Sequence, residues 1–285
     1  MKNYKVIVVT GLSLLLLALI FTSCRAGSGP ESPDSEETQE PIEQEEIEID
    51  NDQEPEDELT EETEVNTDNI TINTQSSIRI EGSKTIYLDP FKRTETPHDA
   101  DIIFITHDHY DHLDEPSFRN VANEDSVIVC PASMLAEVAG MNARGRNEDV
   151  DGDIIIMEAG DTAEVAEGIT VEAVPAYNIN KNFHPKSNGW LGYIITMDGV
   201  RYYAAGDTDA LPELENVECD IAFVPVGGTF TETAAEAAGL VNKIHPAYAI
   251  PIHYGTIVGT AADADTFRAA VDGGIKVVTK VEDAK

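Results

Sequence analysis

The chain has 285 residues, 41% of them hydrophobic, and a formal net charge of −36, so it can bury one sizeable core while carrying far more acid than base. Residues 29–68 hold nineteen Asp and Glu and no Lys or Arg, and from Arg79 onward 35 acidic residues face 15 basic ones. That balance argues against nucleic acid as a partner, because neutralising phosphates takes clustered basic side chains.

At the N-terminus, Lys2 and Lys5 precede the apolar run Val6 to Phe21, and Thr22-Ser23-Cys24 sets small residues before a cysteine. Residues 1–24 thus read as a targeting segment. The segment resembles a bacterial-type lipoprotein signal, which implies lipidation of Cys24, a membrane anchor at that residue and a location outside the cytoplasm. An uncleaved membrane helix is the alternative, although the apolar run is short for a full span. Residues 25–69, punctuated by Pro30, Pro33, Pro41 and Pro55, hold too few apolar side chains to offset their ordering entropy and read as an acidic disordered tether. The remaining residues, 70–285, read as one folded domain.

Short alternating stretches at 70–73, 77–80 and 85–88 predict antiparallel strands opening a sheet. Next comes the buried strand Ile102-Ile103-Phe104-Ile105, and at its C-terminal end Thr106-His107-Asp108-His109-Tyr110-Asp111-His112. A chain turning sharply there can aim His107 and His109 at one cation, and Asp111 and His112 at a second beside it. Two metals about 3.5–4 Å apart are the usual means of activating water toward an ester, lactone, amide or phosphodiester. The bland alternative, a solvated His- and Asp-rich turn, loses ground because two later strands also end on ligand-type residues. Asp207 follows Tyr202-Tyr203-Ala204-Ala205-Gly206, and His253 follows Ala249-Ile250-Pro251-Ile252.

Amphipathic segments around 115–122 and 134–141 alternate with a strand at 127–130, and strands at 153–157 and 169–174 follow. A hairpin over 190–197 and 200–205 turns at Asp198-Gly199. Residues 221–226 read as a buried strand and 231–244 as a helix, with Ala234, Ala235, Ala238 and Leu240 available for packing and His245 at its end. This order predicts an α/β fold of two mixed sheets covered by helices. Cys130 and Cys219 read as unpaired thiols, Asp209 as structural, and His98 as lying outside any ligand spacing.

His107-x-His109-x-Asp111-His112, Gly206-Asp207-Thr208 and Ile252-His253-Tyr254 together resemble the metallo-β-lactamase-fold hydrolases. Asp89-Pro90 before the motif and Pro225-Val226-Gly227-Gly228 after the aspartate are similar to the ascorbate-6-phosphate lactonase-like branch. The resemblance spans about residues 70–285 and implies a four-layer αββα sandwich, two mixed sheets flanked by helices. It also implies a ligating histidine after the strand at 169–174. Here that slot holds Asn178, so His184, the nearest imidazole, is expected to fold back and complete the first metal site; the alternative is a loop histidine touching substrate or solvent. Gln75 stands where such relatives carry a histidine and cannot replace it as an acid or base. Asp89 is expected to support a ligating histidine from behind, and Lys186 either grips an anionic substrate group or is solvated.

The function expected is a metal-dependent hydrolase acting on a small ester, lactone or phosphodiester. Its cofactors are two divalent cations, zinc first, with manganese, iron and nickel as alternatives that His and carboxylate ligands do not separate. His107, His109 and His184 hold the first, Asp111, His112 and His253 the second, and Asp207 bridges them. Asp111 is also the catalytic residue, orienting the nucleophile. Hydrolysis of β-lactams ranks lower, since a shared fold does not carry function. The rival is a non-catalytic, membrane-anchored metal- or ligand-binding protein of the same fold.

Overall fold

The structure, a computed structural model, describes residues 6–8, 65–143 and 153–282. One sheet of seven strands contains β1 (Val6–Val8), β2 (Ile70–Ile72), β3 (Ile78–Glu81), β4 (Thr85–Leu88), β5 (Ala100–Phe104), β6 (Ala122–Pro131) and β7 (Ile154–Met157), in the order β1-β7-β6-β5-β4-β3-β2. The other contains β8 (Thr162–Ala166), β9 (Ile169–Pro175), β10 (Leu191–Met197), β11 (Val200–Ala204), β12 (Ile221–Pro225), β13 (Tyr248–Ile252) and β14 (Lys276–Val277), ordered in sequence from one edge to the other. Both follow one plan. An antiparallel meander, β2 to β4 or β8 to β11, gives way to parallel strands.

Parallel neighbours need crossovers, and helices supply them. The helix α1 (Glu115–Val121) joins β5 to β6, and α2 (Leu135–Ala143) follows β6. On the other sheet α3 (Ala234–Ile244) joins β12 to β13, and α4 (Ala261–Ala270) joins β13 to β14. Successive β5 side chains therefore face opposite apolar layers. Ile102 and Phe104 enter the cluster that also holds Leu191 and Tyr193 of β10, whereas Ile103 packs with Phe118 and Val121 of α1 and Val138 of α2. Every residue of β12 is buried, as a strand covered on both faces requires. The result is the expected four-layer sandwich of two mixed sheets.

Local signals set the element ends. Thr233 caps α3 in a reciprocal capping box with Glu236, so the helix begins later than the predicted residue 231. It buries Ala234, Ala237, Ala238, Leu240 and Val241, while Ala235 is exposed. His245 closes it at φ 52°. Val65 packs on the core and Thr67 is buried, so the described chain meets the domain ahead of β2. Val6–Val8 pairs in parallel with β7 at the sheet edge. Cys24, the rest of residues 1–24 and residues 25–64 lie outside the described residues. Cys130 and Cys219 are free thiols.

Candidate metal centre

Three parallel strands, β5, β11 and β13, end at the same rim of the sandwich, the place where open α/β sheets put their functional loops. His107 follows β5, Asp207 follows β11 and His253 follows β13. The two sheets are sewn together there. Leu191 N–H donates to the Thr106 carbonyl at 3.2 Å, and His253 N–H to the Gln75 carbonyl at 3.1 Å. Gly206, at φ 68°, would place a Cβ 2.9 Å from the Leu191 carbonyl and 3.3 Å from the Thr106 Cβ. Only glycine lets the chain carrying Asp207 come this close to the chain carrying His107. Four non-glycine residues at this rim also hold left-handed backbone: Gln75 at φ 47°, Asp89 at 42°, His184 at 53° and His253 at 56°. Each costs on the order of 1 kcal/mol, and strain of this kind gathers at functional sites.

Seven predicted residues meet at this rim. His107, His109, His184 and Asp207 form one group of side chains whose donor atoms lie within 4.8 Å of one another, and Asp111, His112 and His253 form a second. Asp207 touches both. Its Oδ2 lies 3.3 Å from His184 Nε2, 3.9 Å from His107 Nε2 and 3.1 Å from His253 Nε2, and its Oδ1 lies 3.3 Å from His112 Nε2. Asp111 Oδ2 stands 3.6 Å from His253 Nε2 and 3.7 Å from His112 Nε2. His184 Nε2 comes within 3.2 Å of His109 Nδ1. The imidazole of His184, rather than the Asn178 amide, thus reaches the cluster. The Asn178 side chain holds the loop instead, donating to the Phe183 and Phe230 carbonyls at 3.0 and 2.6 Å.

Behind the cluster, a buried carboxylate fixes the imidazoles. Asp89 Oδ2 lies 2.7 Å from His112 Nδ1 and accepts from Thr106 Oγ1 at 2.6 Å, while its Oδ1 accepts from Thr106 N–H at 2.8 Å. Thr106 Oγ1 is itself 3.0 Å from His107 Nδ1, and the Phe230 carbonyl is 3.0 Å from His184 Nδ1. Nδ1 is thereby engaged on all three rings and Nε2 turned inward, the arrangement that supports metal-ligating histidines. Trp190 lays its ring against His107, His109 and His184, with centroids 4.9, 5.0 and 5.5 Å away.

Charge within the cluster is divided. Burial, with the neighbouring His112, pushes the His107 pKa well down and keeps its ring neutral; burial and His184 lower that of His109. Burial acts in the same direction on His112 and His253, but Asp207 and a second carboxylate outweigh it. His112 is raised, and His253 is raised to about 9. Burial opposes ionisation of Asp207, yet His253 and His112 hold it well below the usual carboxylate range.

Other predicted residues fall elsewhere. Asp209 accepts from Ile179 N–H at 2.8 Å and pairs with Lys181, tying down the loop that carries His184. Lys186 is 66% exposed and bound to Glu213 and the Tyr177 hydroxyl, so it does not enter the cluster. His98 meets the Ala122 carbonyl at 2.9 Å, remote from the ligands. Sequence reasoning passed over Thr106, Trp190 and the Phe230 carbonyl. Thr106, next to His107, and Trp190, the chain's one tryptophan, offered a weak signal; a backbone carbonyl offers none.

Comparison with known proteins places this geometry. The Beta-lactamase superfamily domain matches residues 68–254. The chain belongs to the metallo-β-lactamase superfamily. Among its superfamily relatives, a UPF0173 metal-dependent hydrolase of Pyrococcus furiosus is 32% identical over 212 residues, covering 70% of this chain and 90% of the relative. Another from Pyrococcus horikoshii is 31% identical, covering 70% and 90%. A crystal structure from Parabacteroides distasonis superposes with TM-score 0.62 at 29% identity, over 76% of this chain and 93% of that one. A metallo hydrolase from Ignicoccus hospitalis shares the fold, with TM-score 0.59 at 22% identity over 75% and 94%. The protein is a metal-dependent hydrolase of this superfamily.

The side chains fit that assignment. His107 Nε2, His112 Nε2, His253 Nε2 and Asp207 Oδ1 are buried with no hydrogen-bond partner, although opposing polar atoms lie 3.1 to 3.9 Å away. Buried polar atoms left unpaired cost roughly 1–3 kcal/mol each. Imidazole nitrogens and carboxylate oxygens converging without bonding to one another form the donor set of a divalent cation site.

Proposed function

We propose that the protein hydrolyses a small ester, lactone or phosphodiester with two divalent cations, zinc in first place, held side by side. His107, His109 and His184 would hold one and Asp111, His112 and His253 the other, with Asp207 shared. The observation that carries this reading is the position of Asp207, whose two oxygens face imidazoles of both groups at 3.1 to 3.9 Å. Cations so held supply a water nucleophile ionised near neutral pH and electrophilic stabilisation of charge at the scissile centre.

The chain's own residues do the rest. Burial and the neighbouring His112 keep His107 neutral, leaving the Nε2 lone pair free. Asp89 fixes the His112 ring from behind through Nδ1. Asp111 is held ionised against burial by the adjoining His253, so its carboxylate is an acceptor that can orient the attacking water. Trp190 packs its ring against three of the histidines. Lactones are the preferred substrates within this range on the resemblance of Asp89-Pro90 and Pro225-Val226-Gly227-Gly228 to the lactonase-like branch. The reading also includes lipidation at Cys24 and anchoring outside the cytoplasm, supported by the flanks of residues 1–24 alone.

Elemental analysis tests the shared carboxylate. Wild type is expected to hold two zinc ions per chain and Asp207→Ala one or none, with turnover lost. Asp265→Ala, on the exposed face of α4, is the control and should change neither. Two zinc ions and full turnover in Asp207→Ala would sink the two-cation reading.

A further inference from the structure

Among the described residues four large apolar side chains are exposed: Val8, Tyr110, Ile179 and Phe183. Val8 sits at the far sheet edge on β1. The other three are neighbours in sequence of the cluster. Tyr110 stands between His109 and Asp111, Phe183 precedes His184, and Ile179 follows Asn178, whose amide holds that loop. They are 66, 45 and 54% exposed. Apolar side chains exposed in the two ligand-bearing loops, where the only other exposed large hydrophobic among the described residues is Val8, mark a place that takes an apolar ligand.

The rim is built rather than loose. Phe183 meets Phe230 edge-on with centroids 4.8 Å apart, and Tyr110 meets Phe91 edge-on at 6.1 Å. Each ring has one aromatic partner and remains exposed to solvent. Two of the nearby cations are paired with carboxylates: Lys181, in the same loop, with Asp209, and Lys186 with Glu213. Lys92 stands over the Phe91 ring at 5.3 Å, a single lysine rather than a group. No cluster of free Lys or Arg awaits a phosphate there.

We infer that this rim is a subsite for an uncharged apolar acyl or alkyl chain, which makes the substrate a neutral, apolar-tailed ester or lactone rather than an anionic phosphodiester. The inference rests on the hydrolase reading for the reaction and on the rim for the tail. Attack at the ester carbonyl forms the new carbon–oxygen bond and breaks the bond to the alkoxide, which leaves with the proton given up by water.

Two measurements on the zinc-loaded full chain separate these grounds. Binding is read from Trp190 fluorescence with N-octylacetamide, a neutral non-substrate, against N-ethylacetamide. Turnover is read as the kcat/KM ratio of 4-nitrophenyl octanoate to the acetate, beside bis(4-nitrophenyl) phosphate. We expect saturable binding of the octyl compound only, and an octanoate-to-acetate ratio of at least about ten. The ratio and the octylacetamide affinity should both fall about tenfold in Phe183→Ser and in Ile179→Ser, and neither should change in Asp265→Ala, on the exposed face of α4. A ratio near one, or a ratio indifferent to both rim variants, overturns the subsite while acetate hydrolysis keeps the hydrolase reading. Octylacetamide binding that the rim variants weaken, without turnover of any ester, upholds the subsite and removes the hydrolase reading. Faster cleavage of the phosphodiester than of either ester overturns the substrate class.

Discussion

Glu232 offers a test of how the loop beside the metal centre is built. Its backbone is fully used, N–H donating to the Thr208 carbonyl at 2.8 Å and its carbonyl accepting from Gly228 at 3.1 Å. Its side chain is completely buried, with neither carboxyl oxygen hydrogen-bonded, and the Tyr203 hydroxyl is buried and unpaired as well. Burial, reinforced by Glu236 and Asp209 and opposed by Lys181, raises its pKa well above 4.5. A pKa raised in the folded state gives a contribution fully present below the unfolded value, about 4.5, and lost as pH climbs toward the folded value. Over that interval folding takes up one proton, and stability falls by about 1.4 kcal/mol per pH unit. Glu232→Gln keeps the shape and removes the titration. The stability of the variant minus that of wild type should therefore grow with pH, by about 1.4 kcal/mol per unit wherever the folded carboxyl stays neutral and the unfolded one is ionised. Urea unfolding of both proteins at pH 5.5, 6.5 and 7.5, at matched zinc saturation, measures it. Parallel pH profiles would refute the argument, because they would mean that Glu232 ionises in the folded protein as freely as in the unfolded one.

Asp89→Asn removes the carboxylate behind His112 and should weaken zinc binding about 10–100-fold in chelator competition; unchanged affinity would contradict the support given to it here. Asp209→Ala frees the loop that Ile179 and Lys181 anchor, so one zinc, the ion on the His184 side, should be lost to chelator well before the other. Burial pushes the Cys130 and Cys219 thiols up to about 12. Iodoacetamide at pH 8 should accordingly leave both unmodified until denaturant is added, as read by mass spectrometry of the digested protein. Cys24→Ala should release the protein from the membrane fraction; equal retention would point to an uncleaved helix.

How much of this could be read from residues alone follows from where the information sits. The β5 run and the ligands after it are local in sequence, so strand, turn and donor atoms announce themselves together. Asp207 and His253 were legible because each ends an apolar strand. His184 was harder, since its place depends on a loop folded back by the Asn178 amide and the Phe230 carbonyl, contacts that no pattern encodes. Among the elements passed over, β8 and α4 were missed for different reasons. In β8 one residue of five is buried, which erases the alternation that marks a half-buried strand. The segment forming α4 is polar, and only its Thr260 and Asp263 capping box signalled a helix start. Ala235 was assigned to the packed face of α3, whereas the 3.6-residue period set from Thr233 buries Ala237 instead.

The ligands run from His107 in one sheet to His253 near the end of the other, and the two sheets are joined at the rim by the Leu191–Thr106 and His253–Gln75 backbone bonds. A nascent chain that has made only its first half owns His107, His109, Asp111 and His112 but neither the shared carboxylate nor the last imidazole. Such a half-built set offers no enclosed site, because the donors that complete both groups arrive with β11 and β13. A cation held by the full donor set would therefore be captured only once both sheets are in place.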